Sequence, residues 1–309
     1  MYEFHILPTG LAHFQNYNKS TLNPDSMTLF FGLLGYPLGH SLSPVMHKAA
    51  LEHLGLDAHY LAFPVAPENL KEAVSGLWAL GCGGFNVTIP HKQAIMPLMQ
   101  KCTPLARKIG AVNTVLRTEQ GWLGDNTDMA GFIAPLLRQK PDWSEAYALI
   151  LGCGGAARAV IAGCQALGLQ QIMVQGRTPK NLKAIQVQFP EIQVLGPERS
   201  VASVLSHTSL VVNTTPLGMD PHPEASPLTQ EELALLPAAA LVYDLVYNPE
   251  RTQLLRWSQE RGLATQGGLE MLVHQGWKAL QLWLHPGQED YSLLAVMETA
   301  LRQHLGSTQ

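Results

Sequence analysis

The chain has 309 residues, 46% hydrophobic and 14% charged, with 20 Lys+Arg against 24 Asp+Glu and a formal net charge of −4. That length exceeds what one hydrophobic core usually organises, so two domains of roughly 100 to 150 residues are expected, and the apolar content argues against disorder. The absence of a dense basic run argues against a nucleic-acid partner, and apolar runs such as 241–246, broken by Asp244, fall well short of the roughly 18 residues of a membrane span.

Residues 1–27 lack the charged start and apolar stretch of a secretory signal and read as an extension to the folded protein. Cys82, Cys102, Cys153 and Cys164 have neither metal-like spacing nor the density of a disulfide scaffold, which fits a reducing cytoplasm. A first α/β series runs from Leu29 to about Val115, with strand-like runs at 29–34, 85–89 and 111–116. Between the first two lies a helix in which Ser43 is the expected N-cap, Pro44 suits the first turn, and Val45, Met46, Ala49, Ala50 and Leu54 share one side. Another helix is expected to begin near Pro90. The segment 126–138 reads as a capped linker helix. A second α/β series then follows, with strands at 148–151, 172–175, 210–213 and 241–245 and a helix over 156–167. The Pro-rich stretch 221–227 reads as a surface loop, and 269–284 as a long helix after Gly267 and Gly268, with the final helices returning to the first domain.

Four segments carry chemistry. Gly152-Cys153-Gly154-Gly155-Ala156-Ala157 joins a buried strand to a helix, the context in which bare backbone N–H groups can approach a pyrophosphate; the plain alternative is a tight turn. After the next strand, where an acidic residue would select a ribose 2′-hydroxyl, stand Gly176, Arg177, Thr178, Pro179 and Lys180, whose cations favour a 2′-phosphate. Lys92 falls in the first turn of the helix expected after Pro90, where the positive helix end disfavours an ammonium; it reads as a proton donor restrained by a carboxylate, or as a solvated surface Lys. Asp128 supplies such a carboxylate, although an acid in a first helical turn is stabilising in itself.

Asn113 interrupts an apolar strand, where a buried amide needs partners. Ser41 and Ser43 offer two hydroxyls at a helix N-terminus, suited to a ligand carboxylate, with Ser43 as an ordinary cap the simpler reading. His40 and His47 flank this place without a third ligand at zinc-like spacing, and no metal is assigned.

In this order, Gly39-His40-Ser41-Leu42-Ser43-Pro44, the run 86–92, Gly110-Ala111-Val112-Asn113-Thr114, Gly124-Asp125-Asn126-Thr127-Asp128, and the runs 213–219, 244–249 and 268–275 resemble the shikimate dehydrogenase family. The resemblance spans about Leu29 to Leu284. It implies an α/β substrate domain over 28–127, a Rossmann-like NADP(H) domain over 128–268 that includes the linker helix, and C-terminal helices over 269–309 packing back on the first.

It further implies NADPH-linked interconversion of 3-dehydroshikimate and shikimate by a monomer or homodimer. Lys92 and Asp128 would be the catalytic pair. Ser41, Ser43 and Tyr247 would hold the substrate carboxylate, and Asn86, Thr88, Asn113, Asp128 and Gln275 its ring hydroxyls. Cofactor contacts would come from the Gly-rich loop, from Arg177, Thr178 and Lys180, from Thr214, Thr215, Gly218 and Met219, and from Leu245, Gly268 and Met271. Gly176 departs from the family's usual Asn. A quinate-using relative shares this constellation, with Ser43 in place of a bulkier Thr leaning towards shikimate; a catalytically silent NADP-binding sensor is the reading from another class.

Overall fold

The computed structural model describes residues 29–39, 41–140, 142–284 and 290–307; the expected extension over 1–27 and His40 lie outside them. The first sheet is built from β1 (Leu29–Gly35), α1 (Ser43–His53), β2 (Ala58–Pro64), α2 (Leu70–Ala79), β3 (Gly84–Val87), the one-turn α3 (His91–Ala94), β4 (Lys101–Cys102), α4 (Pro104–Ile109), β5 (Thr114–Thr118) and β6 (Gly121–Asp125). Its strand order is β2-β1-β3-β5-β6-β4. The sheet is mixed, because β5 runs antiparallel to both β3 and β6.

Helix α5 (Asp128–Gln139) leads to the second sheet, made by β7 (Tyr147–Leu151), α6 (Gly155–Ala166), β8 (Gln171–Gln175), α7 (Pro179–Gln188), β9 (Gln193–Leu195), α8 (Ala202–Leu205), β10 (Leu210–Asn213), α9 (Gln230–Leu233), β11 (Leu241–Asp244), α10 (Gln253–Glu260) and β12 (Ala264–Gln266). Its strands pair in the order β12-β11-β10-β7-β8-β9, all parallel. This is the doubly wound Rossmann order, whose switch point lies between β7 and β10. Buried apolar runs such as Tyr147–Leu151 suit strands covered on both faces.

Two long helices, α11 (Leu269–Leu284) and α12 (Ser292–Ser307), complete the chain. They return to the first sheet as expected: Val273, Trp277, Leu280, Leu293 and Met297 share one core with Phe31, Leu33 and Met46. Among the described residues no helix is long and apolar enough to cross a membrane.

Helix α5 holds the two halves together by packing between α6 and α11. A Cβ on Gly131 would lie 2.7 Å from the Met271 carbonyl oxygen and 2.9 Å from Gln275 Cβ, so the bare Cα lets α11 come close. Gly131→Ala is therefore expected to lower unfolding free energy by about 1 to 3 kcal/mol, because backbone cannot yield to an overpacked methyl. Gly76→Ala in α2 meets nothing within 4 Å and should instead stabilise by about 0.5 to 1 kcal/mol, the ordinary gain of Ala over Gly in a helix. Denaturant titration of the two variants checks the opposite signs.

Candidate active site

The first site residues sit on short pieces of backbone at the C-terminal end of β3, an interior strand of the first sheet. Strand β3 ends at Val87 rather than at Ile89, and α3 is a single four-residue turn. So short a helix has little macrodipole, which corrects the reading of Lys92 as an ammonium opposed by a helix end. Its surroundings are set by a neighbour: Lys92 Nζ lies 2.6 Å from Asp128 Oδ2, with the side chains 15% and 6% exposed. A charged pair this buried adds little stability over apolar packing, which points to chemical use. The Lys92 carbonyl oxygen accepts from the Val112 N–H at 2.8 Å, tying the turn to the lead-in of β5.

Asp128 begins α5 and is fixed on its other oxygen. Asn113 Nδ2 donates to Asp128 Oδ1 at 2.8 Å and to Thr127 Oγ1 at 2.9 Å, while Asn113 Oδ1 accepts from the Thr127 N–H at 2.7 Å. Asn113 does not interrupt a strand, as the sequence suggested; it stands just before β5, buried, where its amide clamps the start of α5. Gln275 reaches the same amide from α11, its Oε1 lying 3.3 Å from Asn113 Nδ2. Residues 92, 113, 128 and 275, far apart in the chain, thus meet at one point.

Asn86 faces this group from β3. Its Nδ2 donates to the Asn113 carbonyl oxygen and to Thr114 Oγ1, both at 3.2 Å, and its Oδ1 accepts from the Tyr60 hydroxyl at 2.8 Å. Tyr60 was not singled out from the sequence, and His47 was noted only as flanking the Ser41 and Ser43 hydroxyls. The two rings stack at 4.2 Å between ring centroids, and burial pushes the His47 imidazole down to about 3, so it is neutral. Tyr60 is the single buried residue of the seven-residue edge strand β2, which left little sequence signal for it; His47, four residues after Ser43 on α1, shares its helix face. Thr88 continues from β3, its N–H bonded to the Leu34 carbonyl oxygen at 2.8 Å.

Ser43 is not the N-cap expected. The helix begins with Ser43 itself, after Leu42, with no side-chain cap; instead the Ser43 N–H donates to Ser41 Oγ at 3.4 Å. The Ser43 hydroxyl is thereby free of capping duty. Tyr247, which follows β11, reaches this loop: burial raises its phenol, while contact with the Ser41 side chain and the Leu42 backbone acts the other way. Ser41, Ser43 and Tyr247 are thus gathered at one end of α1.

Opposite, the switch point of the second sheet supplies the Gly-rich loop. Gly152 has φ +111°, which favours glycine, and a Cβ there would sit 2.5 Å from Thr214 Oγ1. Gly154 is exposed, with open space where a Cβ would point, and leads into Gly155, Ala156 and the buried Ala157 of α6. Thr214 and Thr215 are held on the other side of the switch: Thr214 Oγ1 donates to the Leu151 carbonyl oxygen at 2.8 Å, and Thr215 donates to Asn213 Oδ1 through both its N–H and its hydroxyl.

Asn213 in turn donates to the buried Asp244, whose carboxyl burial pushes up to about 6, and Asp244 also accepts from Thr252 Oγ1 at 2.6 Å. This ties together the loops bearing Gly218, Met219 and Leu245. Gly268 packs on the Leu245 carbonyl oxygen, and Met271 belongs to the core of the second sheet. Gly131 and Gly268 are both positions of close backbone packing.

Arg177, Thr178 and Lys180 are exposed at the end of β8, where Thr178 is the N-cap of α7 without a side-chain cap bond. A Cβ on Gly176 would lie 2.9 Å from both Cys153 Sγ and Leu182 Cδ2; the thiol already occupies the space a side chain at 176 would need. A loop whose glycines leave backbone open, beside two exposed cations and an uncapped helix start, fits a dinucleotide bearing a 2′-phosphate. Among the described residues no group of three or more His, Cys, Asp or Glu side chains could hold a metal ion.

Residues 33–115 match the family model for the shikimate dehydrogenase substrate binding domain. The NADP(+)-type shikimate dehydrogenase of Thermosynechococcus vestitus is 51% identical over 283 residues, 91% of this chain and 97% of the relative. That of a Synechocystis species is 49% identical, covering 90% and 96%. Among solved structures, shikimate 5-dehydrogenase from Thermus thermophilus, in complex with NADP(H) and shikimate, superposes with a TM-score of 0.77 at 37% identity, over 89% of this chain and 99% of that one. With two sheets, a Rossmann-ordered second half and this extent of identity, the chain belongs to the shikimate dehydrogenase family.

Proposed function

We propose that this chain catalyses the reversible NADPH-dependent reduction of 3-dehydroshikimate to shikimate in the cytoplasm, as a monomer or homodimer; the four free thiols suit a reducing compartment. The observation that carries the reading is the buried Lys92–Asp128 pair, clamped by Asn113 and Gln275 and facing the Gly-rich loop. Cofactor would lie along that loop, with its pyrophosphate at Gly152, Gly154 and Gly155, its 2′-phosphate at Arg177, Thr178 and Lys180, and its nicotinamide end towards Thr214, Thr215, Gly218, Met219, Leu245, Gly268 and Met271. When bound, it supplies the hydride.

The protein's own groups do the rest. Ser41, Ser43 and Tyr247 hold the substrate carboxylate with hydroxyl donors at the start of α1. Asn86, Thr88, Asn113 and Gln275 orient the ring hydroxyls. Lys92 Nζ, already held at 2.6 Å from Asp128, is aimed at the ring carbonyl oxygen and donates to it as negative charge grows there, an interaction stronger in the transition state than in the ground state. Asp128 fixes the Lys92 rotamer and accepts from the neighbouring ring hydroxyl, and in the oxidative direction the same pair takes the proton back.

Initial rates with shikimate and with quinate, each with NADP+ and NAD+, test the proposal. The highest kcat/KM is expected for shikimate with NADP+. Faster turnover of quinate would make this a quinate dehydrogenase, and NADP+ binding without turnover of either acid would make it a sensor.

A further inference from the structure

Two adjacent glycines of the nucleotide loop face different things. Gly154 faces open space, whereas a Cβ on Gly155 would lie 3.3 Å from Lys92 Cδ and 3.4 Å from Lys92 Cβ. Gly155 is the first residue of α6 and has no left-handed backbone to explain it; Ala would be the better helix former at that place. The space that its missing Cβ leaves is lined by the aliphatic stem of Lys92, which belongs to the other sheet's layer.

The contact sits within a flank where the two layers are fastened. Gln188 Nε2 of α7 donates to the carbonyl oxygens of Lys108 and Arg107 at 2.8 and 3.2 Å, and the Arg158 guanidinium lies against Gly110, the left-handed C-cap of α4. Lys92 is thus held at two points, its ammonium by Asp128 and its stem by the start of α6.

We propose that Gly155 is a positioning residue for Lys92: the nucleotide loop offers the Lys stem a flat seat, and the reach of Nζ towards the ring carbonyl depends on that loop lying in place. The proposal rests on the reading of Lys92 as the proton donor. It gives Gly155 a second role beside its backbone approach to the pyrophosphate: the direction its missing Cβ would take belongs to the Lys92 stem, whereas that of Gly154 faces open space.

The test is Gly155→Ala, with Gly155→Ser as a second variant that also suits a helix start. A methyl at 155 asks the Lys stem to give by a few tenths of an ångström. Since misplacement by about 1 Å costs on the order of 100-fold, the single-turnover rate with shikimate and NADP+ should fall about three- to tenfold, with a larger solvent isotope effect as proton transfer becomes more limiting. Both substitutions keep the Gly155 backbone N–H and point the new Cβ at Lys92, away from the backbone that approaches the pyrophosphate, so the NADP+ Kd from calorimetry should stay within about twofold of wild type, and Tm should not fall.

A wild-type rate in both variants overturns the proposal, as does a loss confined to Kd. A fall in Tm that tracks the rate loss in both variants assigns Gly155 to folding and overturns it too. If Lys92→Ala itself kept a wild-type rate, the reading of Lys92 would fail; a dead Lys92→Ala beside an unaffected Gly155→Ala sinks this proposal alone.

Discussion

Lys92→Ala is expected to lower kcat with shikimate by about two to four orders of magnitude, the range of a positioned acid–base group, while KM changes much less. Removing Nζ takes away the donor that meets charge developing on the ring oxygen. It also leaves Asp128, with its side chain only 6% exposed, holding an uncompensated charge beside Asn113. That second effect predicts a loss of stability as well, since breaking a buried pair from one side costs on the order of 3 to 5 kcal/mol where burial is complete and less here, where Lys92 is partly open to solvent.

Asp128→Asn should also impair turnover. Because one side chain orients the other, the double variant should lose less than the product of the single losses. Steady-state kinetics of the three variants decide the matter: a Lys92→Ala enzyme with more than about a third of wild-type kcat removes Lys92 from the chemistry, a threshold far above the loss a general acid implies.

The clamped geometry behind this expectation was only partly legible in the sequence. Elements with a long or uniformly apolar pattern were readable: the span of α11 agrees end to end, and β7, α6, β8 and β10 fall within a residue of their expected bounds. In these, local pattern and tertiary burial agree. The strand expected at 111–116 starts three residues late, because Val112 and Asn113 spend their N–H groups on Lys92 and Asp125, bonds that no periodicity encodes. Ser43 carries a good capping side chain but lies inside the first turn, where Ser41 takes over the capping contact.

Tyr60 was missed because β2 is an edge strand of seven residues in which Tyr60 alone is buried, too little to show as a pattern. In sequence Gly155 reads as part of the nucleotide loop, and Gly131 and Gly268 give no sign of what surrounds them. Only the packed structure shows that each admits a particular neighbour: the backbone of α11, the stem of Lys92 and the carbonyl of Leu245. Residue type announces that space is needed, not what fills it.

The other large effect expected is on cofactor choice. Arg177→Ala should raise KM for NADP+ by the equivalent of roughly 1.5 to 3 kcal/mol, about 10- to 150-fold, as for a lost hydrogen bond to a charged group. NAD+ kinetics should hardly change. Arg177 is exposed at the end of β8, and among the described residues neither it nor Lys180 is engaged in an ion pair, so its guanidinium is available to a 2′-phosphate and free to stack on a flat ring. Thr178 adds a hydroxyl not used in capping.

No carboxylate between Gln175 and Lys180 opposes the phosphate. Gly176 adds no side-chain contact, and with Cys153 Sγ filling the adjacent space none can be restored by substitution at 176 alone. The preference for NADP(H) consequently rests on Arg177 more heavily than it would with a second polar side chain beside it. Calorimetric Kd values for both dinucleotides, measured without substrate, separate binding from turnover. Equal weakening towards NADP+ and NAD+ would assign Arg177 to the shared adenosine or to folding, and a wild-type protein that binds NAD+ the more tightly would overturn the assignment of the 2′-phosphate seat.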